Sequence, residues 1–227
     1  MSRLAMIRVR DRPATIHGDA AVPFRLIAGR IVIEATLDGR PVTAIVDMGA
    51  PVSLVRPALA ATLGLDHRRQ ATFRSEHGPV RADLVGPARL SIGERTLTLR
   101  EAIVMTGPIL GETGIDVDLV VGQDILSAAT VEIDFAHRHL RLRETGWRPE
   151  PGYTVIPISI DDARRLVIPL DLPGIGKVPG IVDLGNNAAL MMDAGFVRRH
   201  DLATGVTTSS GLFATLGGVC VLISATS

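Results

Sequence analysis

Residues 41–54 read Pro-Val-Thr-Ala-Ile-Val-Asp-Met-Gly-Ala-Pro-Val-Ser-Leu, with one acid, Asp47, at the end of an apolar run. The apolar residues predict a buried strand, where a carboxylate is costly unless it accepts hydrogen bonds or shares a proton. Gly49 follows two residues later, so the chain can turn sharply and bring a backbone amide close to the carboxylate. Alone, this pattern is as typical of an ordinary turn as of a functional site.

A second copy of the pattern favours the functional interpretation. Residues 178–190 read Val-Pro-Gly-Ile-Val-Asp-Leu-Gly-Asn-Asn-Ala-Ala-Leu, and Asp183 stands 136 positions after Asp47 (183 − 47). Both copies contain Ile-Val-Asp-x-Gly. The preceding residues, 31–39 and 166–174, also correspond as strand, turn and strand. Similarity at this spacing predicts two copies of one structural unit.

The chain resembles the retropepsin-like aspartic proteases, in the bacterial form that has two such units in one polypeptide. Besides the two Asp-x-Gly triplets, residues 119–126, Leu-Val-Val-Gly-Gln-Asp-Ile-Leu, resemble the inner strand, glycine and short helix near the end of the family's unit. Residues 131–142 resemble its closing hairpin. The first unit is matched from end to end, whereas the second is matched only through its first half.

The resemblance implies a fold and a division into domains. The expected fold is mainly β, with a closed retropepsin-like barrel followed by a second, incomplete copy of the same unit. The predicted parts are an N-terminal extension at 1–23, unit 1 at 24–145, a linker at 146–152 and a partial unit 2 at 153–227. The linker carries two prolines and two glycines in seven residues.

Local patterns predict several elements. Residues 26–37 and 41–46 are expected to be strands joined by a hairpin at Asp38-Gly39. Pro57–Leu63 is expected to be a short helix, with proline in its first turn and Gly64 past its end. A second short helix is expected near residues 123–128.

The resemblance also implies an active site without metal or cofactor. Asp47 and Asp183 would form a dyad in which two neighbouring carboxylates share a proton, one activating water and the other polarising a peptide carbonyl. The expected turn residues are Met48, Gly49, Ala50, Leu184, Gly185 and Asn186. A polar hairpin tip would be the flap over a peptide substrate, and its residues are Ser75, Glu76, His77, Gly78 and Pro79.

The chain departs from the family pattern directly after each acid. The family has Thr or Ser there, and the hydroxyl groups hydrogen-bond the two turns together, but this chain has Met48 and Leu184. Each lost bond is worth roughly 1 kcal/mol. Two functions therefore stay open: an aspartic endopeptidase, and a catalytically degenerate module for dimerisation or peptide binding.

The length of the second copy raises the question of assembly. It has 44 residues after its acid (227 − 183), whereas unit 1 reaches Gly122 75 residues after Asp47 (122 − 47). An incomplete sheet has an unpaired edge, so self-association or a longer natural protein is expected. A homodimer pairing Asp47 with Asp47 of a second chain is the alternative to an intramolecular dyad.

Composition narrows the range of partners. The 24 basic and 24 acidic residues balance, so neither nucleic acid nor a membrane surface is expected as a partner. The single cysteine, Cys220, and the lack of a signal-peptide pattern or long apolar run predict a cytoplasmic protein. His137 and His139 lie among arginines, and Asp116 and Asp118 lie in an acidic loop, so no metal site is expected there.

Overall fold

A computed structural model of the chain describes residues 5–10, 21–75, 78–105, 116–148, 151–186, 190–204, 207–215 and 218–226. Its secondary structure is mainly β. The strands are β1 (Ala5–Arg10), β2 (Val22–Ile27), β3 (Arg30–Leu37), β4 (Arg40–Val46), β5 (Leu54–Val55), β6 (His67–Ser75), β7 (Gly78–Val85), β8 (Ala88–Ile92), β9 (Arg95–Leu99), β10 (Ala102–Val104), β11 (Leu119–Val121), β12 (Thr130–Asp134), β13 (His139–Arg143), β14 (Tyr153–Ile160), β15 (Leu166–Leu172), β16 (Gly176–Ile181), β17 (Thr207–Thr215) and β18 (Gly218–Thr226). The helices are α1 (Pro57–Leu63), α2 (Gln123–Leu126) and α3 (Ala194–Arg199).

The largest sheet organises the first part of the chain. Its strands follow the order β12-β13-β2-β3-β4-β11-β5-β10-β7-β6, with β8 added beside β3 and β9 beside β8. A four-stranded sheet has the order β1-β14-β15-β16, and β17 pairs with β18. β1, which lies in the predicted N-terminal extension, thus joins a sheet made by residues after the predicted linker.

The predicted closed barrel is not confirmed. The strand path of the large sheet ends at β12 and at β6, and none of the sheets formed by the described strands closes. The second, incomplete copy of the unit is not confirmed either, and it stays a prediction.

The central strand β4 is buried on both faces. Ala44 and Val46 pack into the larger apolar cluster, whereas Ile45 packs into a smaller cluster on the other face. All three side chains are at most 2% exposed. Burial on both faces explains why β4 reads as a continuous apolar run rather than as an alternating pattern.

Two local predictions agree closely with the structure. Helix α1 spans the predicted residues, begins with Pro57 and ends at Gly64, whose φ of 60° is left-handed. The hairpin between β3 and β4 turns at Asp38 and Gly39, which both have positive φ, 48° and 80°. Two consecutive residues with positive φ are what a tight hairpin turn requires.

The prediction of one strand over residues 26–37 is wrong, because the structure has two strands there. The chain turns at Ala28 and Gly29, with φ of 48° and 77°, so that β2 and β3 form a hairpin. Alanine rarely adopts positive φ, so Ala28-Gly29 is a weaker turn signal than Asp38-Gly39.

The helices are all short. No helix in the ranges described above is both long enough and apolar enough to cross a membrane.

Candidate active site

Asp47 lies at the carboxyl end of β4, in the middle of the large sheet. Strand β11 runs parallel to β4 with Val121 beside Val46, and the Asp47 amide donates to the Val121 carbonyl at 3.0 Å. Since Val46 and Val121 are fully buried, the backbone that carries Asp47 is fixed by the core.

The first acid turn, residues 47–50, is held by hydrogen bonds within the turn and by hydrogen bonds from Gln123 of α2. The Gly49 amide donates to Asp47 Oδ1 at 2.7 Å. Gln123 donates twice, from Nε2 to the Met48 carbonyl at 2.7 Å and from its amide to the Ala50 carbonyl at 2.8 Å. Gln123 thus ties both sides of the turn to the start of α2.

The buried Ser53 and its partner Asp124 support the same turn. Ser53 is 0% exposed, and its amide and hydroxyl both donate to Asp124 Oδ1, at 3.0 and 2.8 Å. The Gly122 amide donates to Ser53 Oγ at 3.0 Å. Burial raises the pKa of Asp124, and the hydrogen bonds from Ser53 oppose that rise.

Glycine is needed at position 122 for close packing. A Cβ there would lie 2.7 Å from the Ala50 carbonyl oxygen and 2.9 Å from the Val52 carbonyl carbon. Both neighbours are backbone atoms, so the space cannot open without moving the acid turn.

Asp183 begins the second acid turn, residues 183–186, which follows β16. The amides of Gly185 and Asn186 both donate to Asp183 Oδ1, at 2.8 and 3.1 Å. The same Asp-x-Gly pattern therefore forms the same local hydrogen bond from glycine to acid in both turns.

The structure brings the two acids together. The Gly185 amide also donates to Asp47 Oδ1 at 3.2 Å. A Cβ on Gly185 would lie 2.6 Å from Asp47 Cγ, and a Cβ on Gly49 would lie 2.5 Å from Asp183 Cγ. Each glycine thus faces the acid of the other turn, and a Cβ at either position would displace the carboxylate of that acid.

The proximity of the acids has an electrostatic consequence. The pKa of Asp47 is raised from its ordinary 3.8 to about 7. Burial is the largest cause, and the negative charge of Asp183 is the second. The hydrogen bond from the Gly49 amide acts in the opposite direction but is outweighed. Asp47 therefore keeps a proton over a pH range in which an exposed aspartate is ionised.

The residues directly after the two acids make apolar contacts. Met48 and Leu184 are partly buried and pack against the same large apolar cluster. A direct contact between their side chains stays a prediction.

The predicted flap falls partly outside the described residues. Strands β6 and β7 pair along their length up to Ser75 opposite Gly78, and Pro79 pairs with Arg74. Glu76 and His77 lie outside the described residues.

Three of the residues considered for a metal have protein partners. His137 Nδ1 lies 2.8 Å from Asp134 Oδ2. Asp118 Oδ2 accepts from the Thr43 amide at 3.1 Å, and Asp116 Oδ1 accepts from Arg56 at 3.3 Å. In the described part of the chain, no group of three or more His, Cys, Asp or Glu side chains is placed to hold a metal ion.

Sequence reasoning missed the roles of Ser53, Gln123 and Asp124. The last two stand directly after Gly122, in the stretch that resembles the family, but their hydrogen bonds reach residues 71 to 75 positions away. The resemblance marked the segment without showing which atoms it contacts.

A family comparison covers the part of the chain that carries Asp47. The family model described as Aspartyl protease matches residues 33–125, from β3 to α2. The match includes Asp47, and Asp183 lies beyond it. The predicted resemblance to aspartic proteases is thus confirmed for this part of the chain.

Two solved structures are similar to the chain. One is the retroviral protease-like domain of Ddi1 from Leishmania major, at 21% identity and a TM-score of 0.37 over 50% of this chain and 87% of that one. The other is a retropepsin-like aspartic protease from Rickettsia conorii, at 17% identity and a TM-score of 0.39 over 63% of this chain and 97% of that one. A search of curated proteins found no match.

Proposed function

We propose that the chain is an aspartic endopeptidase in which Asp47 and Asp183 form the catalytic dyad. The observation that carries the proposal is the reciprocal placement of the acids, in which the Gly185 amide donates to both Asp47 and Asp183. The match of residues 33–125 to the aspartyl protease family supports the same class of reaction.

The proposal includes the arrangement of the chain. Residues 24–145 form one retropepsin-like unit, residues 146–152 a linker, and residues 153–227 a partial second unit. The two acid turns, each placed after the second strand of a hairpin, support this arrangement. Because Asp183 approaches Asp47 within one chain, an intramolecular dyad is favoured over a homodimer built from two copies of Asp47.

The proposed mechanism uses the unequal surroundings of the two acids. Asp47, whose pKa is raised to about 7, holds the shared proton. The Asp183 carboxylate takes a proton from water as the water oxygen bonds to the peptide carbonyl carbon, and Asp47 protonates the carbonyl oxygen. Asp183 then passes its proton to the leaving nitrogen while the C–N bond breaks, and Asp47 recovers a proton as the carbonyl re-forms.

The substrate proposed is an extended peptide that lies under the hairpin of β6 and β7. Its tip residues 75–79 are the proposed flap. Closing a loop over the substrate excludes water from the reacting peptide bond.

The test is cleavage of a mixed peptide library, followed by mass spectrometry across acid to neutral pH. We expect the wild-type chain to cleave peptides, to be inhibited by hydroxyl-bearing transition-state mimics and to be unaffected by chelators, whereas Asp47→Asn is inactive. Asp162→Asn changes an exposed aspartate and serves as the matched control. Cleavage by Asp47→Asn at the wild-type rate would refute the dyad.

The second candidate function is a non-cleaving peptide-binding or dimerisation module. The observation that favours it is the packing of Met48 and Leu184 into the core, where the family places hydrogen-bonding hydroxyl groups. Peptide binding without cleavage in the same library, equal in wild type and Asp47→Asn, would establish it.

A further inference from the structure

Arg30 is a buried cation close to the second acid turn. It opens β3, directly after the Ala28-Gly29 turn, and is 4% exposed. Arginine is seldom buried unless its guanidinium has partners, because removing the charge from water is costly. The residue that it contacts therefore indicates why it is there.

The contact joins β3 to the turn that carries Asp183. Arg30 Nε donates to the Gly185 carbonyl oxygen at 3.1 Å, across 155 positions of sequence. That carbonyl belongs to the same peptide group as the Asn186 amide, which donates to Asp183 Oδ1 at 3.1 Å. Hydrogen bonds at the two ends of one peptide group polarise and strengthen each other.

The Gly185 residue is thus held on both sides. Its amide faces Asp183 and Asp47, at 2.8 and 3.2 Å, while its carbonyl is bound by Arg30. A rotation of the peptide group between Gly185 and Asn186 would break both the Arg30 contact and the contact of the Asn186 amide with Asp183. Holding the carbonyl therefore fixes the direction of the Asn186 amide, which donates to Asp183.

The corresponding arginine of the second hairpin makes a different contact. Arg165-Leu166-Val167 occupies the position of Arg30-Ile31-Val32, at the start of the hairpin that precedes the acid. The Arg165 side chain, however, binds Asp161 Oδ2, with Nε at 2.8 Å. The first turn is held instead by Gln123. Among the described residues, the two turns therefore have different supports: the first is bound by Gln123, and the second by Arg30 of β3.

We propose that Arg30 is a positioning residue. It holds the second acid turn against β3 of the large sheet, so that the Asp183 carboxylate faces Asp47. It acts through the backbone of Gly185 and does not touch the substrate. Its effect on activity rests on the proposed function, whereas its effect on the turn does not.

The test compares Arg30→Met and Arg30→Lys with Arg165→Met. Methionine keeps much of the apolar stem of arginine and removes its donors, and Arg165→Met makes the same change at the matched position. Two readouts are needed: hydrogen exchange of the amides of residues 49, 185 and 186, and kcat and KM on a peptide that the wild type cleaves.

In Arg30→Met we expect faster exchange at residues 185 and 186 with unchanged exchange at Gly49. We also expect kcat to fall roughly ten-fold to a hundred-fold, the size expected for a lost charge-assisted hydrogen bond. KM should stay the same, because a misplaced acid impairs the chemical step rather than substrate binding. Arg30→Lys should recover part of both effects, and Arg165→Met should show neither.

Two results would overturn the proposal: unchanged exchange at the second turn in both Arg30 variants, or equal effects of Arg30→Met and Arg165→Met. If Arg30→Met does not fold, the exchange and kcat of Arg30→Lys decide the question, and wild-type values in that variant reject a specific role for the guanidinium. If the wild type cleaves no peptide while Arg30→Met still loosens only the second turn, the proposed function fails and the positioning role of Arg30 stands.

Discussion

The raised pKa of Asp47 makes the stability of the protein depend on pH in a direction opposite to that of most acids. The folded protein binds this proton up to about pH 7, whereas in the unfolded chain the acid titrates near its ordinary 3.8. Between these values the folded state holds a proton that the unfolded state has lost, so the free energy of unfolding falls as the pH rises. The contribution is fully present below about pH 3.8 and is lost through pH 7.

The size of the effect follows from the two pKa values. They differ by 3.2 (7 − 3.8), and each unit corresponds to about 1.4 kcal/mol. The free energy of unfolding should therefore fall by about 4 kcal/mol at most between pH 4 and pH 8. Asp47→Asn removes the titrating group, so its stability should lack this slope and gain on the wild type as the pH rises.

The assay is urea unfolding of wild type and Asp47→Asn at half-unit intervals over that pH range. Titrating groups away from the two acids contribute equally to both proteins, so the difference between the two curves isolates Asp47 together with its coupling to Asp183. Asp162→Asn, at an exposed position, controls for the loss of one carboxylate. Parallel curves for wild type and Asp47→Asn would refute the reasoning, because they would mean that the folded state does not hold the proton.

Three further predictions concern the turns around the acids. Gly49→Ala should lower kcat roughly 100-fold, because its Cβ would lie 2.5 Å from Asp183 Cγ and would displace that carboxylate. Wild-type kcat in this variant would contradict the close approach of Gly49 to Asp183. Ser53→Ala should lower the free energy of unfolding in urea by about 1–3 kcal/mol, because it removes a buried hydroxyl that both donates and accepts; a change no larger than that of an exposed serine would contradict its supporting role. Met48→Thr and Leu184→Thr together should be tolerated better than the two single changes added, because a lone threonine buries an unmatched hydroxyl; strictly additive unfolding energies would show that the two side chains do not meet.

Local chemistry was readable from the sequence where one residue type is strongly preferred. Pro57 and Gly64 set the ends of α1, and Asp38-Gly39 set the hairpin before Asp47. The turn at Ala28 was not predicted, since alanine seldom adopts the positive φ that it has between β2 and β3.

The two acids were predicted from the sequence as a pair, whereas most of the residues that contact their turns were not predicted. An internal similarity and a family resemblance pointed to Asp47 and Asp183. The contacts of Arg30 and Ser53 join positions 155 and 71 residues apart. No local pattern encodes such contacts, because they depend on how the sheet and the second turn pack together.

The most direct measurement for the proposed dyad is kcat/KM on one cleaved peptide for wild type, Asp47→Asn, Asp183→Asn and the double variant. Two acids that share one proton act as a unit, so each single change should cost roughly 1,000-fold or more and the double variant should lose no more than either single one. Wild-type activity in Asp183→Asn, or losses that multiply in the double variant, would contradict an intramolecular dyad of Asp47 and Asp183.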